Sequence, residues 1–357
     1  MVYLVFIAGI LLLIAGAEAL IRGASRLASA FGIAPLVIGL TVVAFGTSSP
    51  EFAVTVKAVL SDQASIAIGN VIGSNIFNVL LILGISAIIA PLSVSRQLVR
   101  FDVPLMIGLS IGVLLLSLDL EVGRLDGSLL FGGLIVYSLV LIRQSRRSGS
   151  TLREEVATEE RSADRKETGW TRNAAAVVIG LALLVIGSRW LVDSAIAIAT
   201  DMGVSDLVIG LTIIAAGTSL PEVVTSVVAS ARGERDIAVG NVVGSNLFNL
   251  MGVLGLAGII APQGITLSPA VLTFDLPVMV AVAFACLPIF FTGGEISRWE
   301  GVILLGYYGA YTTYVIFAAT AHDALDTFSA TMLYFVLPLT AITLGVLALR
   351  AGRFPDP

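Results

Sequence analysis

Leu36 to Glu51, LVIGLTVVAFGTSSPE, returns further along the chain as Leu207 to Glu222, LVIGLTIIAAGTSLPE, with twelve of sixteen positions identical at an offset of 171. A second block, Ala67 to Asn78 (AIGNVIGSNIFN), returns at the same offset as Ala238 to Asn249 (AVGNVVGSNLFN), with nine of twelve identical. The chain is a tandem duplication, so its fold must place each copy in an equivalent environment. Each copy carries a Glu, a Pro and a cluster of small hydroxyl and amide residues inside apolar sequence. Acids within apolar spans are costly and mark ion or substrate paths. Duplicated, proline-broken helices with polar centres are the signature of a secondary transporter.

Composition fixes the solvent of the fold. Of 357 residues, 57% are hydrophobic and 13% charged, with a mean hydropathy of +1.00. Soluble domains carry about 25% charged residues. Apolar runs lie near 2–21, 33–60, 64–91, 101–118 and 125–142, then near 173–192, 204–231, 237–261, 270–292 and 299–320, with a last run at 328–349. Each is long enough to cross about 30 Å of hydrocarbon as a helix. The first run has no basic leader and no small-residue cleavage site, so it reads as a retained span rather than a signal peptide. Five spans per repeat is an odd number, so the second copy enters from the opposite side. The expectation is an all-α membrane protein: a ten-helix core of two inverted five-helix repeats, broken at the midplane, plus an eleventh C-terminal helix.

The predicted organisation is a first repeat over 1–142, a charged linker over 143–172, a second repeat over 173–320 and an extra helix and tail over 321–357. Placing the N-terminus outside leaves all but Lys57, Arg124 and Arg189 of the 20 lysines and arginines in inside loops. That bias follows the positive-inside rule and predicts a multi-pass protein of a prokaryotic plasma (inner) membrane. The linker is too short and polar to bury a core and reads as a partly helical tether. Cys286 is the single cysteine and His322 the single histidine, the latter in a polar loop, so neither a disulfide framework nor a Cys/His metal site is available. No basic patch suggests nucleic acid, and no residues suggest an obligate protein partner or a cofactor.

The chemistry concentrates in the GTS-x-PE segments. Pro50 has no N–H for the carbonyl of Gly46, so the helix should break there and free carbonyls around Ala44 to Thr47. Non-helical backbone at that depth is tolerated where it lines a cavity. Carbonyls, hydroxyls and the Glu51 carboxylate are hard oxygen donors of the kind that hold Ca²⁺ and similar cations. Thr47 and Glu51, four apart, share a helix face. The argument repeats for Gly217, Thr218, Ser219, Pro221 and Glu222. In the second pair of blocks, Ser74 and Asn78 share a face, as do Ser245 and Asn249. Asn70, Asn75, Asn241 and Asn246 read as interhelical hydrogen bonders, and Gly69, Gly73, Gly240 and Gly244 as close-contact positions. Phe101-Asp102-Val103-Pro104 and Phe274-Asp275-Leu276-Pro277 read as helix N-termini. Glu18, whose repeat counterpart is Arg189, reads as interfacial.

These motifs resemble the sodium/calcium exchangers of the calcium/cation antiporter superfamily, which carry GTS-x-PE on the second and seventh spans and GN-x-x-GSN-x-x-N/D on the third and eighth. All four blocks are present, and the resemblance covers about residues 2–320. Carried over position by position, it implies metal (Na⁺/Ca²⁺) ligands at Glu51 and Glu222, Thr47 and Thr218, Ser48 and Ser219, Ser74 and Ser245, and Asn78 and Asn249. The carbonyls of Ala44 and Ala215 complete the set. Two features depart from the family pattern. The eleventh run lies beyond the ten-helix core, and Asn249 stands where potassium-dependent relatives carry Asp. The resemblance therefore implies a potassium-independent branch. The short linker lacks the large regulatory calcium-binding region of animal exchangers.

The function expected is a sodium/calcium antiporter working by alternating access, with Ca²⁺ and Na⁺ as substrates and no enzymatic activity. The alternative is a cation/proton antiporter on the same fold. Such relatives carry an extra acid after the GN of the third and eighth spans, where this chain has Val71 to Gly73 and Val242 to Gly244. A passive cation channel is the rival of another class. No nucleotide-binding loop supports an ATP-driven pump.

Overall fold

The structure, a computed structural model, describes residues 1–159, 170–204, 209, 212–213, 215–291 and 293–350. Leu207, Val208, Gly210, Leu211 and Ile214 of the second repeat block lie outside the described residues. So do Glu160, Arg161, Asp164, Arg165, Lys166 and Glu167 of the linker, and Arg353 of the tail.

Among the described residues, nine helices are long and apolar enough to span a bilayer. They are α1 (Val2–Phe31), α4 (Ala64–Ile89), α5 (Leu98–Leu116), α6 (Arg124–Gln144), α7 (Trp170–Asp201), α10 (Arg235–Ile260), α11 (Val271–Phe291), α12 (Arg298–Ala319) and α13 (Leu325–Val346). A tenth is a broken span, α2 (Pro35–Thr47) and α3 (Ser49–Leu60), bent by 44°. The corresponding run of the second repeat is described at α8 (Ala215–Gly217) and α9 (Leu220–Ala231). α6 continues as helix to Glu159, beyond its apolar run. α4 and α10 form the buried centre, while α6, α12 and α13 present Leu125, Leu129, Val136, Val302 and Leu333 to lipid.

The inversion of the repeats is visible in which residues meet. α1 and α7 pack antiparallel through glycines: a Cβ on Gly16 would lie 2.8 Å from Gly180 O, and one on Gly9 3.0 Å from Gly187 O. Gly9 aligns with Gly180 and Gly16 with Gly187 at the repeat offset, so each glycine meets the counterpart of the other, as an in-plane two-fold requires. Small residues are the means of close approach where lipid removes the hydrophobic drive. The short strands obey the same symmetry. β1 (Leu92–Ser93) pairs antiparallel with β4 (Glu295–Ile296), and β2 (Glu121–Val122) with β3 (Ile265–Thr266). One span, α5, separates β1 from β2, so the two ribbons cap opposite ends of the bundle.

α1 is also tied to the loop after α9. Ser25 Oγ donates to Glu234 at 3.0 Å, and Glu18 pairs with both Arg22 and Arg232. The eleventh helix, α13, is held against α12 by Tyr307, whose hydroxyl lies 2.6 Å from Thr340 Oγ. His322 is an exposed loop residue stacked on Phe317.

One expectation needs correction. Asp102 and Asp275 do not begin their spans. Each sits inside a continuous helix whose preceding turn is a wide π-turn, Leu98–Asp102 and Val271–Asp275, just ahead of Pro104 and Pro277. A proline cannot complete the ordinary ladder, and a π-turn absorbs the mismatch. Asp102 accepts from the Tyr137 hydroxyl at 2.9 Å and Asp275 from that of Tyr311 at 3.0 Å, so both acids fasten neighbouring spans.

Single cysteines at the exposed positions 93 and 295 should react with a membrane-impermeant maleimide from one side of the membrane, and those at 121 and 266 only from the other. The endogenous Cys286 is buried and gives little background. Labelling of all four from one side would refute the inverted arrangement.

Candidate functional site

The two broken spans bring Glu51 and Glu222 to the middle of the bundle, each 1% exposed. The break falls at Ser48 (φ −79°, ψ 6°) and at Ser219 (φ −87°, ψ 6°), the residues just ahead of Leu/Ser-Pro-Glu, so each acid lies in the first turn of the second half-helix. That placement puts each carboxylate where helix-terminal N–H groups and the helix dipole favour negative charge.

The donors cross between repeats. Ser48 Oγ donates to Glu222 Oε1 at 2.9 Å, and Ser219 Oγ donates to Glu51 Oε1 at 2.7 Å. Ser219 Oγ also lies 3.2 Å from Ser74 Oγ. Thr47 donates to Asn241 Oδ1 at 3.0 Å and Thr218 to Asn70 Oδ1 at 3.2 Å. Each acid thus spends one carboxylate oxygen on a serine of the other copy. The second oxygens, Glu51 Oε2 and Glu222 Oε2, are buried without a hydrogen-bond partner. Asn78 Oδ1, Ser245 Oγ and both amide atoms of Asn249 share that condition. Leaving such groups unmade in a protein interior is expensive, on the order of 1–3 kcal/mol each and more for charged groups. Among the described residues, no lysine or arginine pairs with either carboxylate. The chemistry of the set is oxygen-rich and anionic, which suits a hard cation.

The structure brings together Glu51, Glu222, Thr47, Ser48, Ser219, Ser74 and Thr218 through these contacts. Asn78 joins from α4, its Nδ2 donating to Asn246 Oδ1 at 3.0 Å so that its Oδ1 is left free. Asn78 and Asn249 each open a π-helical turn, Asn78–Leu83 and Asn249–Val253. Such turns re-phase a helix and recur at functional sites. The Ala44 carbonyl accepts the Ser48 N–H at 3.0 Å and lies 3.3 Å from the Thr47 hydroxyl. The carbonyls stripped by the prolines are those of Gly46 and Gly217. Gly217 O is recovered by the Ser188 hydroxyl of α7 at 2.8 Å, a contact the motifs did not announce. Aligning the repeats would have flagged it, because the position equivalent to Ser188 is Ala17.

Glycines set the depth of the crossing. A Cβ on Gly240 would lie 3.0 Å from Leu36 O, and one on Gly244 only 2.7 Å from Leu40 Cα and 2.8 Å from Ala44 Cβ. This contact places α10, with Ser245 and Asn249, against the first broken span.

The sequence matches the family described as sodium/calcium exchanger protein over residues 1–143 and 173–317. The chain belongs to this family. The two matched segments leave out only the linker and the C-terminal helix. Among similar proteins, the sodium/calcium exchanger MaX1 of Methanosarcina acetivorans is 35% identical over 340 residues, covering 87% of this chain and 97% of MaX1. The inner membrane protein YrbG of Escherichia coli is 37% identical over 307 residues, covering 84% of this chain and 92% of YrbG. A solved structure of the sodium-calcium exchanger NCX_Mj is 29% identical, superposes with a TM-score of 0.74, and covers 89% of this chain and 97% of that one. The chain is therefore a multi-pass membrane antiporter with the exchanger fold, not an enzyme.

Gly244→Val should force α10 away from Leu40 and Ala44. An overpacked contact of this kind costs about 1–3 kcal/mol, visible as a lower midpoint of thermal unfolding in detergent. Gly108→Val, at an exposed position with open space around it, is the control. Equal midpoints for the two variants would contradict the close crossing.

Proposed function

We propose that this protein exchanges sodium for calcium by alternating access, at one central site shared by both cargoes. The single observation that carries the reading is the pair of buried carboxylates, each with an unpartnered oxygen and, among the described residues, no basic neighbour. Two carboxylates match the charge of one Ca²⁺. The proposed ligands are Glu51, Glu222, Thr47, Thr218, Ser48, Ser219, Ser74, Ser245, Asn78 and Asn249, with the carbonyls of Ala44 and Ala215. Sodium ions occupy overlapping oxygens around the same acids, so the two loads compete. Sodium moving down its gradient then carries calcium the other way. Residues 1–142 and 173–320 act as the two inverted units around the site, joined by the 143–172 tether, with 321–357 as an accessory helix and tail. The N-terminus lies outside a prokaryotic plasma membrane, as the distribution of arginines supports.

Sodium is favoured over protons because no acid follows Gly69-Asn70 or Gly240-Asn241. The likeness to a named sodium/calcium exchanger supports the same choice. A proton-coupled reading draws on the same two carboxylates, each of which can accept a proton when no cation is bound.

Glu51→Gln and Glu222→Gln each remove one of the two charges facing a divalent ion in a site of low dielectric. Each should weaken calcium binding at least about a hundredfold, since stripping one partner from a buried charge pair costs several kcal/mol. Calorimetric titration of the purified protein measures this directly. Sodium added to the wild type should depress calcium binding with a steepness above one. Near-normal calcium binding in either variant would remove that glutamate from the site, and independent binding of both ions would exclude a shared one.

A further inference from the structure

Asn70 and Asn241 stand outside the proposed ligand set, yet each is wired into both halves of the site. Asn241 Nδ2 lies 2.9 Å from Ser226 Oγ and 3.5 Å from the Glu222 carbonyl oxygen. Asn70 Nδ2 lies 2.9 Å from Thr55 Oγ and 3.1 Å from the Glu51 carbonyl oxygen. A backbone carbonyl has no proton to give, so it fixes the amide nitrogen on its own side. The amide oxygen is thereby turned toward the threonine of the opposite repeat, Thr47 for Asn241 and Thr218 for Asn70. An amide oxygen only accepts, so each threonine must donate.

The consequence falls on the threonine. Thr47 has one hydroxyl proton and several acceptors around it: Asn241 Oδ1 at 3.0 Å, Val43 O at 3.1 Å, Ala44 O at 3.3 Å and the Glu222 carboxylate of the other repeat. Without Asn241, the proton would turn to the backbone, as helical Thr hydroxyls commonly do, or to the Glu222 carboxylate. It would then cover a lone pair of Val43, Ala44 or Glu222. With Asn241 in place, the Thr47 lone pairs are free, and so is the lone pair of Ala44 O that the Ser48 N–H does not use.

We propose that Asn70 and Asn241 are positioning residues that set the hydroxyl direction of Thr218 and Thr47, so that these oxygens present lone pairs to the cation. Each couples the broken helix of its own repeat to the cation ligand of the other. The inference rests on the reading of Thr47 and Thr218 as ligands, and the test separates the two. The two copies arrive at the same geometry, with the equivalent hydroxyls of Thr55 and Ser226 as third partners, so each repeat holds its asparagine in the same way.

The test is a double-mutant cycle on the full-length protein, with calcium affinity read by calorimetry and folding by thermal unfolding. Thr47→Val and Asn241→Leu should each weaken calcium binding about tenfold, the scale of one oriented polar contact. Because the asparagine acts through the threonine, the double variant should also be about tenfold weaker, not about a hundredfold. The mirror cycle, Thr218→Val with Asn70→Leu, should behave alike, and decides the matter if Asn241→Leu does not fold. Effects that multiply would overturn the proposal. So would an Asn→Leu variant that loses thermal stability but keeps wild-type affinity. If Thr47→Val and Thr218→Val both bind calcium as the wild type does, the ligand reading fails, and this inference falls with it.

Discussion

Two carboxylates buried in one low-dielectric bundle, with no cationic side chain paired to them among the described residues, are the constraint around which this molecule is organised. An acid at the centre of a bilayer costs about 3 kcal/mol on insertion scales, and a second acid close enough to feel the first adds repulsion. Glu51 and Glu222 are both fully enclosed. The protein supplies one serine donor to each, from the opposite repeat, and leaves the remaining oxygens unmet. A site that satisfies half of each carboxylate is poised for a mobile cation rather than for a permanent ion pair.

Duplication with inversion makes that arrangement possible. In each copy the serine that donates to the carboxylate comes from the other broken helix. Two copies related by an in-plane two-fold exchange those hydroxyls crosswise. The same operation pairs β1 with β4 and β2 with β3 at opposite ends, and sets Gly16 on Gly180 and Gly9 on Gly187. The copies also differ where function permits. Ser188 recovers the carbonyl that Pro221 strips, whereas the equivalent Ala17 cannot serve Gly46. Glu18 holds α1 to Arg232, whereas its counterpart is Arg189.

Much of this was legible in the sequence, for a physical reason. The site is built from local motifs, and each motif states its own chemistry: Pro for the break, Gly for close approach, Glu for charge, Thr and Ser for donors. Length and hydropathy gave the spans because the bilayer thickness fixes them. The less legible features depend on contacts across the fold. Asn70 and Asn241 read as interhelical hydrogen bonders, but their partners, Thr218 and Thr47, are visible only in the three-dimensional crossing. Asp102 and Asp275 looked like helix starts because Asp-x-Pro is a start signal in water. Inside a membrane span, the same residues sit in π-turns and fasten Tyr137 and Tyr311. The π-turns at Asn78 and Asn249 have no residue signature, since they arise from backbone phase rather than from side-chain type.

The central claim is that a sodium gradient, and not a proton gradient, drives calcium through this site. Proteoliposomes of the purified protein loaded with sodium and diluted into sodium-free buffer should accumulate ⁴⁵Ca²⁺. Uptake should vanish when sodium is equal on both sides, and an imposed proton gradient alone should not restore it. Calcium accumulation driven by protons with sodium absent would contradict the account.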